Sequence, residues 1–264
     1  MSVGVRGLLV DVDGVLHIED TPIPGAVETL AELRRRGMPF RLLTNTTVRS
    51  RHTLASAMRG MGFDVADDEI ITAGGAAAAY VRRRFPGQPV YLLARPDVAA
   101  EFDGVPLTDG PEARVVVVGD AGERFTFAAM NHAFRLLFDG AALVAMHRSP
   151  WWQTAEGPTI DMGAFVRGLE YSSGVRATMV GKPATPFFRA GFRALGLPPH
   201  EVAMVGDTVR QDVLPAMRLG ATGVLVRTGM FREGDLSAGT PDVVLDSVAD
   251  LLPMLDICSI EAAH

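Results

Sequence analysis

The segment Gly-Leu-Leu-Val-Asp-Val-Asp-Gly-Val-Leu at residues 7–16 limits the fold more than any other part of this chain. Leu8 to Val10 is continuously apolar rather than alternating, the pattern of a strand buried on both faces. Two carboxylates one residue apart, Asp11 and Asp13, close the run, and Gly14 lets the chain turn away without a crowding side chain. A strand covered on both faces belongs to a layered α/β protein, where ligands gather at the carboxyl ends of parallel strands. Two acids this close repel one another unless a cation or a shared proton intervenes. The stretch therefore predicts a metal-binding rim. An EF-hand calcium loop does not fit, because Gly14 follows Asp13 directly where a third oxygen ligand belongs, and a strand precedes the acids instead of a helix.

The rest of the chain repeats the strand-then-helix alternation of a parallel sheet. A loop is expected over 17–25, then a helix with Ala26, Val27, Leu30 and Leu33 on one face, closed by Gly37. A strand over 39–43 runs into Thr44-Asn45-Thr46-Thr47, and a helix starts near Ser50 or Arg51. A strand over 69–72, a Gly74-Gly75 turn and a helix over 76–84 follow. The middle third predicts strands over 90–93, 114–118 and 143–146, helices over 125–138 and 163–171, and a looser stretch over 147–157. The last third predicts strands over 178–180, 202–205, 222–226 and 242–245, with helices over 186–195, after Asp207 and over 248–255.

Four strand ends then carry polar groups: Asp11 and Asp13, Thr44 and Asn45, Lys182, and Asp207. Each is weak alone, since Thr-Asn is a common cap or turn signal and Asp after Gly a common turn. Parallel strands bring such ends to one rim, and there the set makes chemical sense. A carboxylate can attack phosphorus. Magnesium takes oxygen ligands and often bridges carboxylate to phosphate. Thr44, with the N–H groups of Asn45 and Thr46 near a helix N-terminus, could cradle phosphoryl oxygens, and Lys182 adds positive charge. Asp13 could protonate a leaving oxygen. Gly181-Lys182 is not a P-loop, because Pro183 stands where Ser or Thr is required, and no dinucleotide fingerprint follows a strand.

Composition narrows the class further. Lys plus Arg number 25 against 31 Asp plus Glu, a net charge of −6 that disfavours a nucleic-acid binder. The single cysteine, Cys258, forms no intrachain disulfide, no apolar run approaches membrane-spanning length and no signal-peptide pattern opens the chain. A cytoplasmic protein without membrane partners is expected. The basic runs 34–36 and 82–84 fall at helix ends and read as solvated.

With those residues in place, the sequence resembles the haloacid dehalogenase (HAD) superfamily. Asp11-Val12-Asp13-Gly14-Val15-Leu16 is similar to its first motif, Leu42-Leu43-Thr44-Asn45 to the second, Gly181-Lys182-Pro183 to the third and Gly206-Asp207 through Asp212 to the fourth. The resemblance implies a Rossmann-like parallel-sheet core with an inserted α/β cap, divided as 1–74 (core), 75–177 (cap) and 178–264 (core). It implies Asp11 as nucleophile and Asp13 as acid/base, with Thr44 and Lys182 holding phosphate. Mg2+ would be held by Asp11, Asp207 and the carbonyl of Asp13, with Asp212 behind the direct ligands.

The long insertion between the second and third motifs is similar to type IIA, NagD-like members, which often dimerise, so a homodimer is implied. Residues 146–152 and 168–171 resemble the branch of phospholysine/phosphohistidine inorganic pyrophosphate phosphatase and the HAD-like hydrolase domain-containing proteins. Thr46-Thr47 and Met146-His147 depart from that branch's usual residues and bear on the substrate. The implied reaction is Mg2+-dependent hydrolysis of a small phosphorylated substrate through an aspartyl-phosphate. A phosphotransferase or mutase on the same core, or a non-catalytic binding module, are the alternatives. His147 is a candidate contact to the leaving group, or an ordinary loop histidine. Trp151-Trp152 could line a pocket, an interface or a core.

Overall fold

The computed structural model describes residues 4–154 and 157–261, without the side chains of 152–154 and 257–261. In chain order the strands and α-helices are β1 (Gly7–Asp11), β2 (His17–Ile18), β3 (Thr21–Pro22), α1 (Ala26–Arg35), β4 (Phe40–Thr44), α2 (Arg51–Gly60), β5 (Ile70–Thr72) and α3 (Ala73–Arg84). Then come β6 (Val90–Leu93), β7 (Val115–Val118), α4 (Phe127–Phe138), β8 (Ala142–Ala145), β9 (Trp151–Thr154), β10 (Gly157–Ile160), α5 (Met162–Ser173) and β11 (Thr178–Met179). The chain finishes with α6 (Thr185–Leu195), β12 (Val202–Gly206), α7 (Leu214–Met217), β13 (Thr222–Val226), β14 (Val243–Leu245) and α8 (Leu251–Glu261). No helix among the described residues is long and apolar enough to cross a membrane.

These elements form two compact units. The first comprises the segment up to Thr44, Leu54–Ile71 and the segment from Lys182 onward; the second comprises Asn45–Thr53 and Thr72–Gly181. The first unit is built on a six-stranded sheet of order β14-β13-β12-β1-β4-β5. β1 lies between β12 and β4 and pairs in parallel with both. All five of its residues are buried, as its unbroken apolar run requires. Leu8, Val10, Leu42, Val205 and Val224 pack against Leu30, Leu33, Leu54, Met58 and Leu251 from the covering helices. Each such fully buried aliphatic side chain contributes about 1.5–3 kcal/mol. The chain leaves β1 for β4 on one side and returns as β12 on the other, so strand order reverses at β1. That is where α/β sheets place their ligand crevice.

The second unit has its own four-stranded parallel sheet, β11-β8-β7-β6. The four valines of β7 are fully buried and meet Ala77, Ala78 and Val81 of α3 and Leu136, Leu137, Val166 and Leu169 of α4 and α5.

Several elements differ from expectation. The 17–25 loop contains a two-stranded hairpin, β2 paired antiparallel with β3. The looser stretch 147–157 likewise holds β9, paired antiparallel with β10. Gly74 and Gly75 are not a turn but lie inside α3, whose N-cap Thr72 accepts a hydrogen bond from Gly75 N–H. Their missing side chains serve close approach: a Cβ at Gly74 would stand 3.1 Å from Val98, and one at Gly75 3.1 Å from Glu101, both on the 3-10 segment Pro96–Phe102. Asp212 sits in a π-helical turn, Val209–Val213, before the short α7.

Candidate active site

Asp11 closes β1 with its carboxylate tied on one side only. Oδ1 accepts the Val12 N–H at 2.7 Å and Lys182 Nζ at 2.6 Å. Among the described residues nothing donates to Oδ2. Lys182 is buried and also reaches Asp212 Oδ1 at 2.7 Å, so one ammonium bridges two carboxylates. The Thr208 hydroxyl and N–H hold the other oxygen of Asp212 from the residue that precedes the π turn. At the end of β4, the buried Thr44 donates its hydroxyl to Asp13 Oδ2 at 3.1 Å. Asp207, one residue past β12, is pinned through Oδ2 by the Met230 N–H at 2.7 Å, while its Oδ1 has no donor among the described residues.

Burial and mutual repulsion dominate the electrostatics. Burial raises the Asp11 carboxyl well above its ordinary value; Lys182 opposes this, and Asp212 and Asp207 add to it. Burial, then repulsion from Asp212, pushes Asp207 up to about 7, against the Met230 N–H and Lys182. Burial alone would lower Lys182, but Asp11 and Asp212 outweigh it and keep the ammonium charged. Lys182 thus pairs with two carboxylates, Asp11 and Asp212, while Asp207 adds a third acid beside them. One oxygen from each of Asp11, Asp207 and Asp212 lies within 4.8 Å of the others. Hard oxygen donors, excess negative charge and two oxygens without protein donors fit a divalent cation such as Mg2+ or Ca2+.

The structure therefore brings Asp11, Asp13, Thr44, Lys182, Asp207 and Asp212 together in the first unit. Asn45 and Thr46 follow Thr44 in the chain and belong to the second unit. The N-terminal donors of α2 are already engaged: Ser50 N–H bonds Asp97 at 2.6 Å and Arg51 N–H bonds Glu101 at 2.5 Å. His147 is buried in the second unit, accepts the Ser149 N–H at 3.3 Å and lies 3.9 Å from Asp161. Trp151 is partly exposed, and the side chain of Trp152 lies outside the described residues. Sequence reasoning missed Met230. Its signal was a fifth polar strand end, Arg227-Thr228-Gly229, directly after β13.

The family model of the haloacid dehalogenase-like hydrolases matches residues 8–108, which include Asp11, Asp13 and Thr44. A second model, HAD-hydrolase-like, matches residues 179–251, which include Lys182, Asp207 and Asp212. Human haloacid dehalogenase-like hydrolase domain-containing protein 2 is 40% identical over 231 residues, covering 88% of this chain and 87% of its own. The chain belongs to the haloacid dehalogenase-like hydrolases.

Human phospholysine phosphohistidine inorganic pyrophosphate phosphatase is 34% identical to this HAD-like hydrolase over 255 residues, 94% of this chain and 92% of that one. Among solved structures, the p-nitrophenyl phosphatase of Archaeoglobus fulgidus superposes with a TM-score of 0.89 at 30% identity, covering 95% of this chain and 99% of its own. NagD of E. coli K-12 superposes at 0.84 with 27% identity, covering 94% and 98%. The NagD-like branch and the Rossmann-like α/β fold with a cap domain stand on these similarities.

Proposed function

We propose that this HAD-like hydrolase is a Mg2+-dependent phosphatase acting on a small phosphorylated metabolite through an aspartyl-phosphate. The observation that carries the reading is the asymmetry of Asp11: two donors hold Oδ1, and Oδ2 is left for attack. The phosphatases named among its relatives support the reaction class.

Asp11 Oδ2 attacks phosphorus, and the bond to the leaving oxygen breaks as Asp13 gives that oxygen a proton. Lys182, 2.6 Å from Asp11 Oδ1, opposes the burial that favours its protonated form and offsets the repulsion between nucleophile and phosphate. Thr44, with the N–H groups of Asn45 and Thr46, binds the phosphoryl oxygens. Asp13, now a carboxylate, takes a proton from water, which attacks the acyl phosphate and releases inorganic phosphate and free Asp11. Asp11, Asp207 and the carbonyl of Asp13 would hold Mg2+, with Asp212 steadying them through Lys182; when bound, the ion supplies charge neutralisation on the phosphoryl oxygens.

The test is a phosphate-release screen over sugar phosphates, nucleotides, phosphoamino acids and pyrophosphate with Mg2+ present. At least one class should be turned over. Asp11→Asn should lower kcat by about 10⁴-fold or more, with an unchanged circular dichroism spectrum. A flat panel, or an Asp11→Asn protein that keeps most of its rate, ends the proposal.

A further inference from the structure

We propose that Thr228, Gly229 and Met230 are positioning residues that aim Asp207 at a divalent cation, and that this clamp sets the affinity for Mg2+. The inference rests on the metal-dependent reading above and adds the residues that govern one of its ligands.

The three residues follow β13, and each acts on a different group. The Thr228 hydroxyl donates to the Gly14 carbonyl at 2.5 Å, tying this loop to the turn after Asp13. Met230 donates its N–H to Asp207 Oδ2 at 2.7 Å. Gly229 lies between them at φ +65°, where a Cβ would overlap Asp207 Oδ2 and stand 2.6 Å from Gly14 Cα. Gly14 abuts it at φ +80°, and a Cβ there would overlap the same oxygen and stand 2.9 Å from Gly229 Cα.

Asp207 is therefore seated in a slot lined by two abutting glycine backbones, and neither position admits a methyl group. One oxygen is fixed in the slot. The other, Oδ1, has no protein donor among the described residues. A carboxylate held this way has little freedom to rotate, so less ordering is needed when it ligates a cation. Partners that orient a ligand typically carry about 10–100-fold in metal affinity.

The experiment is calorimetric titration of Mg2+ into the metal-free full chain, as wild type, Gly229→Ala, Thr228→Val, Thr228→Ser, Asp207→Asn and the Gly229→Ala/Asp207→Asn double variant. Gly229→Ala should weaken binding by about tenfold or more. Thr228→Val should lose less, and Thr228→Ser, which keeps the hydroxyl, should restore wild-type affinity. The double variant should bind no more weakly than Asp207→Asn alone, because the clamp acts only through that carboxylate. Should Gly229→Ala fail to fold, the Thr228 pair decides.

Losses that add in the double variant overturn the clamp, as do Val and Ser variants that bind alike. A wild type that binds Mg2+ alongside variants that match it overturns the clamp alone. A wild type that takes up no Mg2+ overturns the metal-dependent reading, and the clamp with it.

Discussion

Lys182 carries more of the stability of the first unit than its single charge suggests. It is buried between Asp11 at 2.6 Å and Asp212 at 2.7 Å. Removing one partner of a buried ion pair leaves the other charge without compensation, at a cost of about 3–5 kcal/mol. Lys182→Ala should lose that much in a urea melt without metal. Adding Asp212→Asn should recover part of the loss, since one orphaned carboxylate is then neutral. Strictly additive losses would show that the two do not interact.

Asp161 makes a second residue-scale prediction. Burial raises it to about 6 from 3.8, Asp120 adding to the effect and the Met162 N–H opposing it. Between those values the folded chain keeps a proton that the unfolded chain has released, so stability falls as pH rises through the window and levels off above it. Asp161→Asn still offers a cap oxygen to α5 but cannot ionise. It should gain Tm relative to wild type on going from pH 4 to pH 7; a constant difference would contradict the assignment. At this scale Asp11, Asp13, Thr44 and Asp207 were legible, because each stands at or just past the end of an apolar strand, whereas Lys182 lies three residues beyond the two-residue β11 and Asp212 in the π turn. Met230 was not legible, because it contributes a backbone N–H and its side chain carries no signal.

Helix termini show what pattern reading can and cannot reach. The α2 start was visible at Ser50, whose hydroxyl accepts the Thr53 N–H at 3.3 Å. The second layer of capping was not: Asp97, 47 positions away, accepts Ser50 N–H at 2.6 Å and the Thr53 hydroxyl at 3.0 Å. Glu101 accepts Arg51 N–H at 2.5 Å and the Thr72 hydroxyl at 3.1 Å, touching the starts of both α2 and α3. That long-range approach is also why Gly74-Gly75 misleads. Two glycines read as a turn until the segment they accommodate is known. Asp97→Ala should cost about 1–2 kcal/mol, the upper range for losing a cap. It should raise hydrogen exchange at residues 51–54 while leaving 127–138 unchanged. Unaltered exchange at 51–54 would mean that Ser50 alone suffices. The β2–β3 and β9–β10 hairpins were equally hidden, since strands of two to four residues are too short to show a period.

For the whole molecule, the acid cluster lies entirely in the first unit, although its members come from two stretches of chain almost two hundred residues apart. The resemblance to the family implies boundaries near 74 and 177. Compactness divides the chain at 71/72 and 181/182, and assigns 45–53 to the second unit through contacts with Asp97, Glu101 and Asp120. An ion that binds only the folded first unit must stabilise it by mass action, by about 2.7 kcal/mol at 100 times its Kd. Mg2+ should therefore raise the melting temperature of the metal-free protein, and EDTA should reverse the rise. Asp207→Asn should abolish most of it. Asp161→Asn, in the second unit, should leave it intact. The acids repel before the ion arrives, so the rise should also grow as pH passes about 7, where Asp207 gives up its proton to make room for metal. A rise that survives in Asp207→Asn, or that ignores pH between 6 and 8, would place the ion somewhere other than this cluster.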